Sequence, residues 1–315
     1  MLRDGAPHRH RSAARKARDA PRARRARDFQ LLRADYTAIG HVTVDVLHDG
    51  SRQPGGTAFY SALQASRLGL RARILTRGVR AEIEELIEPF AGELELEVQP
   101  AARTTTLLTS GSGDARTQRV LAWAGEIAPQ PLPASEILHL APVARESPAR
   151  WSGEAAFVGL TPQGLARSWS EPRGLIELVA PSPAQVSAVE RCDAIVLNDR
   201  ERASCAHLIA RALRGGAVVA VTAGAAGTTL LLGDGGEIAL RPEPVRNVCD
   251  DLGAGDVFAA AFFVAAREGS GPRDAARFAS AAAALRIEGA GADAIAHRPA
   301  IETRLARAQS ERPRE

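Results

Sequence analysis

The chain has 315 residues, 45% hydrophobic and 24% charged, enough for one large α/β domain or two small ones. No apolar stretch approaches the roughly 18 residues needed to span a bilayer, and the Arg-rich N-terminus has no apolar run behind it, so neither a membrane span nor a secretory signal is expected. The net charge of +3 conceals an asymmetry: residues 1–33 carry eleven Lys/Arg against three Asp, a net +8 that leaves the rest of the chain at −5.

That basic tail has no hydrophobic period and is expected to be disordered. An incidental extension or misplaced start, a basic arm for nucleic acid and an organelle transit peptide all fit its charge. The absence of aromatics among the arginines argues against nucleic acid, and the sparse serine against a transit sequence. Lys16 is the only lysine, so any cationic clamp on phosphate in the body must be arginine. Cys192, Cys205 and Cys249 are an odd set without metal-ligand spacing, which fits reduced thiols and a cytoplasmic location. Cys249 reads as a small buried residue rather than a nucleophile.

From Asp35 onward, short apolar runs alternate with helical patterns, the mark of a mostly parallel sheet covered by helices. Residues 36–46 read as the first strand, 57–68 as a helix ended by Gly69, and 72–76 as the next strand. Three segments, 93–98, 104–109 and 116–123, are strand-like with no helix between them, and 110–114 is a turn. Further buried strands are expected at 137–142, 156–160, 194–197 and 217–222. Helices follow at 257–267 and 272–287, and the chain from Glu302 reads as a polar, frayed end.

The densest chemical signal is Asp250-Asp251-Leu252-Gly253-Ala254-Gly255-Asp256-Val257-Phe258, just before an apolar run. Two glycines flanking an alanine allow a sharp turn that gathers N–H groups, and the helix dipole adds positive potential there. Asp256 falls on the first helical turn. Amides that hold an anion beside a carboxylate that takes a proton suit phosphoryl transfer to an alcohol. A Gly-rich loop with an Asp capping a buried helix is the plainer alternative.

This string resembles the signature of the ribokinase-like (PfkB) carbohydrate kinases, D-T-x-G-A-G-D-x-F, with Asp251 in place of the threonine. The resemblance implies a three-layer α/β/α sandwich over residues 34–315, with a small β lid within about 46–54 and 93–123. It implies Asp256 as catalytic base and the amides of Gly253, Ala254 and Gly255 as anion hole. Gly40 to Asp45 matches G-x-x-x-x-D, which makes Asp45 a ligand of substrate hydroxyls; a carboxylate can accept from two neighbouring hydroxyls. His41 within it reads as a packed residue. Gly55-Gly56, followed by Tyr60 where the family has asparagine, resembles the acceptor-binding element, and the aromatic substitution points toward the inositol-kinase-like branch; a core tyrosine is the plainer reading.

Asn198-Asp199-Arg200-Glu201 matches N-x-x-E, which by resemblance assigns Asn198 and Glu201 to hydrated Mg²⁺ and phosphates. The same residues also spell an N-capped helix start. Thr222, Gly224 and Gly227 match the T-x-G-x-x-G turn that borders the nucleotide. Glu201 through water is the implied Mg²⁺ contact, Asp250 an implied monovalent-cation contact, and Asp251 lies beside the donor phosphates. There its charge would repel an anion by about 1 kcal/mol at 4 Å in water. Arg103, Arg116 and Arg119 in the lid are candidates to close over phosphate, and Gln163 to touch substrate. The implied reaction is ATP-dependent phosphorylation of a sugar or cyclitol, with a homodimer formed through the lid, no membrane and no nucleic-acid partner. A nucleoside kinase, clamping a base with Phe59, Tyr60 or Trp123, and a silent sugar-binding regulator are the alternatives.

Overall fold

The computed structural model describes residues 34–310 apart from Pro133, 148–152 and Pro172, so the basic tail lies outside the described residues. The chain opens with β1 (Ala34–Ile39) and β2 (Thr43–Val46), which belong to different sheets. The single strand expected over 36–46 is therefore broken. A side chain at Gly40 would overlap the Ala141 carbonyl. The His41 amide is held by Glu146 and that of Val42 by the Thr76 hydroxyl, each at 2.8 Å, so the backbone leaves the main sheet there.

The chain continues through β3 (Arg52–Gly55), α1 (Thr57–Arg67), β4 (Ala72–Gly78), α2 (Arg80–Leu86), β5 (Leu94–Pro100), β6 (Thr106–Ser110) and β7 (Thr117–Ala122). Then come β8 (Ser135–Leu140), β9 (Ala155–Leu160), β10 (Arg167–Ser168), β11 (Glu177–Leu178) and α3 (Pro183–Ala188). The last third holds β12 (Ala194–Asn198), α4 (Asp199–Ser204), α5 (Ala206–Arg214), β13 (Val218–Thr222), β14 (Thr228–Leu231), β15 (Glu237–Leu240), α6 (Ala254–Arg267), α7 (Pro272–Ile287) and α8 (Arg298–Ser310).

Nine strands form one sheet in the order β15-β14-β13-β12-β9-β8-β1-β4-β5. From β13 to β5 every pairing is parallel, while β14 and β15 close one edge as an antiparallel hairpin. Alternation along the strands divides the core between the two faces. Ala194 and Val196 of β12 pack with α1, α6 and α7, whereas Ile195 and Leu197 pack with α5 on the opposite side. The result is a helix–sheet–helix sandwich.

A second sheet, in the order β3-β2-β6-β7, projects as the lid. Leu107 and Val120 anchor it on Val143, Ala144 and Trp169 of the body. The segment 93–98 does not belong there: β5 pairs in parallel with β4 at the edge of the main sheet. The C-terminal end is not frayed over its described length. Ile301 is buried, Arg304 pairs with Glu288 at 2.8 Å, and Arg298 with Glu268 at 2.6 Å, which fixes α8 despite its polar sequence. No described helix is long and apolar enough to cross a membrane.

Candidate active site

The ends of β1, β9, β12 and β13 deliver their following residues to one edge of the sheet, where open α/β sheets hold ligands. Above that edge lie the lid and the start of α6. Gly253 has φ 76°, a left-handed turn that a side chain would strain, and a Cβ there would run into the Tyr60 ring. The turn sets α6 going with no side-chain cap, so its first-turn N–H groups are open donors. The Ala254 N–H makes only a long 3.4 Å bond to the Asp251 carbonyl.

Asp256 sits on that first turn with partial solvent contact. Burial of its carboxyl pushes its pKa up to about 7. The Thr57 hydroxyl and the Arg167 guanidinium pull it back, while Glu201 and Asp45 push it further up. The Thr57 hydroxyl is itself buried beside this carboxyl.

Asp45 is 3% exposed at the lid base. Burial raises its carboxyl to about 6, against the pull of the Thr43 hydroxyl, which donates to Oδ1 at 2.7 Å, and of Arg167 and Arg116. A side chain at Gly55 would overlap the Asp45 carboxylate, so the close approach of these strands requires glycine. Gly56 caps α1 beside it.

Two residues central to this constellation escape the sequence reading. Arg167 is buried, donating from Nη1 to the Val143 carbonyl and from Nη2 to Gln118 Oε1, both at 2.9 Å. Burial draws its pKa down, and four carboxylates, Glu201, Asp256, Glu146 and Asp45, hold it up. One buried guanidinium therefore faces four carboxylates. Glu146, fully buried, accepts from the amides of His41, Val143 and Ala144 at 2.6–2.8 Å and ties the end of β1 to the loop after β8. The available signal was an arginine a few residues past a buried strand in a chain whose body lacks lysine. His41 itself is buried, its ring bonded to the Thr105 hydroxyl at 2.8 Å.

Asn198 and Glu201 form a reciprocal capping box on α4: Asn198 Oδ1 accepts from the Glu201 amide at 2.9 Å and Glu201 Oε2 from the Asn198 amide at 3.2 Å. Glu201 is nonetheless buried at the cleft edge, its pKa raised by burial and lowered by Arg167. Asn198 and Thr222 are register partners on β12 and β13, and Gly224 and Gly227 turn the chain into β14 directly above.

Three expectations change. Tyr60 is 2% exposed beneath the signature loop, its ring against Gly253 and 5.6 Å from the Arg286 guanidinium, so it packs rather than faces an acceptor. Asp250 is engaged by protein: Arg286 Nη2 at 2.7 Å, the Leu252 amide at 2.9 Å and the Gly291 amide at 3.1 Å. The Asp250 carboxylate, expected to meet a monovalent cation, is thus committed to protein donors. Asp251 does not stand before α6 as a bare charge, because it pairs with Arg116 and accepts from the Gly113 amide of the lid turn at 2.9 Å. Arg103 and Arg119 are exposed, and so is Cys249.

The pfkB family carbohydrate kinase profile matches residues 95–298. A sequence search of curated proteins finds no match. Among solved structures, a pyrophosphate-dependent kinase of the ribokinase family, complexed with a pyrophosphate analogue and myo-inositol, superposes with TM-score 0.67 at 21% identity, covering 85% of this chain and 99% of its own. The nucleoside kinase of Methanocaldococcus jannaschii gives 0.68 at 18%, covering 87% and 98%. Ribokinase of Arabidopsis thaliana, with ribose and ATP, gives 0.65 at 18%, covering 87% and 99%. The profile spans well over half the chain and includes the Gly-Ala-Gly-Asp turn, and the neighbours share its fold. The chain belongs to the pfkB family of carbohydrate kinases, phosphotransferases with an alcohol group as acceptor.

Proposed function

We propose that this kinase transfers the γ-phosphoryl group of ATP to a hydroxyl of a sugar or cyclitol, with Asp256 as general base. The observation that carries the reading is the placement of Asp256 on the first turn of an uncapped helix, its carboxyl held near 7. Such a group accepts a proton at neutral pH beside amides that stabilise developing charge on the transferring phosphoryl. Asp45 accepts from two acceptor hydroxyls, Gly55 and Gly56 let the acceptor lie close to the backbone, and Arg167 offsets the carboxylates around the reacting oxygen. The proton released by the hydroxyl passes to Asp256 and then to solvent.

Fit of the donor is supported by open space: nothing lies within 4 Å of where a Cβ on Gly255 or Gly224 would stand. Asn198, Glu201, Thr222, Gly224 and Gly227 would hold the nucleotide end. Glu201 commits one oxygen to its cap, and the other suits a water of a hydrated Mg²⁺, which favours few protein ligands. When bound, Mg²⁺ supplies neutralisation of the donor phosphates. The nucleoside alternative loses support, because Phe59 and Tyr60 are core residues packed edge-to-face on each other and Trp123 packs on Trp169.

An acceptor panel with ATP and Mg²⁺, covering inositols, ribose, fructose and nucleosides, tests the reading. Pyrophosphate runs alongside as donor, since a pyrophosphate-dependent kinase shares the fold. Asp256→Ala should lower turnover by about 100-fold or more. Retained phosphorylation by that variant removes the base, and ligand binding without donor consumption favours a silent binding protein.

A further inference from the structure

The reaction leaves the Arg116–Asp251 pair without a role. The pair borders a cavity of about 250 Å³ between the lid and the loop before α6, lined by Leu47, Gln53, Thr109, Arg116, Asp251 and Leu252. That volume equals about eight waters of the liquid, room for one small polyol. Strand register connects the cavity to the acceptor carboxylate. Asp45 pairs with Gln53 across β2–β3 and with Leu107 across β2–β6, and Thr109 lies two residues beyond Leu107. Gln53 and Thr109 therefore project from the lid face that carries Asp45. A second link is made by side chains: Arg167 donates to Gln118 Oε1, and Gln118 Nε2 donates to the Thr109 hydroxyl at 3.1 Å.

We propose that this cavity is the subsite for the part of the acceptor remote from the reacting hydroxyl, and that Arg116 and Asp251 together read it as a neutral polyol. The proposal rests on the kinase reading of the site. The charge balance selects the ligand. Arg116 is the cation among the cavity residues named, and its charge is matched by Asp251. Asp250 adds a second carboxylate, matched by Arg286. A sugar acid or sugar phosphate would have to break one of these pairs to be held. A neutral polyol needs no such exchange: one hydroxyl donates to Asp251 while its neighbour accepts from the guanidinium, whose Nε is buried with no hydrogen-bond partner among the described residues. Asp251 lies two residues before Gly253, so an acceptor held here also steadies the turn that carries the anion hole.

The test measures acceptor binding by calorimetry without donor, and steady-state KM for each substrate, using inositol, fructose and gluconate. Asp251→Asn and Arg116→Gln should weaken binding of the neutral polyol by about tenfold or more, as loss of a hydrogen bond to a charged group does. The donor KM should stay within about twofold. Gluconate should bind the wild type at least about tenfold more weakly than the neutral polyols, and Asp251→Thr should narrow that gap. Gln53→Ala, remote from the signature loop, should weaken the neutral polyol in the same way and guards against a folding defect at Asp251. A raised donor KM with unchanged acceptor affinity overturns the proposal, as does a wild type that prefers gluconate. Polyol binding that depends on Asp251 without phosphoryl transfer sustains the subsite and removes the kinase reading. Transfer to polyols with variants indistinguishable from wild type does the reverse, and no polyol binding removes both.

Discussion

Replacing Asp256 with asparagine should lower turnover by about 100-fold or more and yet stabilise the fold. Burial holds the Asp256 carboxyl at about 7, against 3.8 in an open chain. At about 1.36 kcal/mol per unit, the gap corresponds to at most about 4 kcal/mol of folding free energy lost once the group must ionise. Asp256 keeps partial solvent contact and titrates beside Asp45 and Glu201, so about 1–2 kcal/mol is the expected effect. The sign follows from a folded-state pKa raised above the unfolded one. Below 3.8 the group is protonated in both states and costs nothing; the penalty grows as pH rises and is complete above 7. Asparagine has nearly the same shape and never ionises. Urea unfolding of the two proteins should therefore diverge with pH, the advantage of Asp256→Asn being smaller at pH 5 than at pH 8. A variant no more stable than wild type at pH 8, or equally favoured at both values, would refute the electrostatic account of this residue.

Three further outcomes follow from the same geometry. Gly253→Ala must place a Cβ in a left-handed turn and against the Tyr60 ring, so it should cost about 1–2 kcal/mol or more in thermal unfolding and at least about tenfold in turnover; wild-type behaviour would mean the turn relaxes freely. Arg167→Gln removes the cation that draws Asp256 down, so the acidic limb of the kcat/KM profile should move to higher pH by about one unit or more, and an unmoved limb sinks that role. Activity should be the same in sodium, potassium and tetramethylammonium buffers, because Arg286 already sits against Asp250; several-fold stimulation by potassium would contradict this.

What the sequence discloses is what short stretches of chain decide by themselves. The parallel core strands are buried on both faces, so 194–197 and 217–222 stand out as unbroken apolar runs and land within a residue of β12 and β13. The Gly-Ala-Gly-Asp turn is equally local, since one left-handed glycine and an uncapped helix start are written in consecutive letters. Sheet membership is not local. β5 has the pattern of a lid strand, and only its partnership with β4 puts it in the body. The helix α8 has few apolar residues to announce it, and Arg304 and Arg298 hold it through partners 16 and 30 residues away. The charges of the site are the extreme case. Read alone, Asp251 adds repulsion beside an anion hole, and Arg167 is one arginine among many. Folding brings Arg116 across 135 residues to cancel the first, and gathers four carboxylates from separate elements around the second. The sign of a residue's effect on phosphate thus depends on its neighbour more than on its own charge. That neighbour is fixed by how the lid and the strand ends meet, which no window of sequence contains.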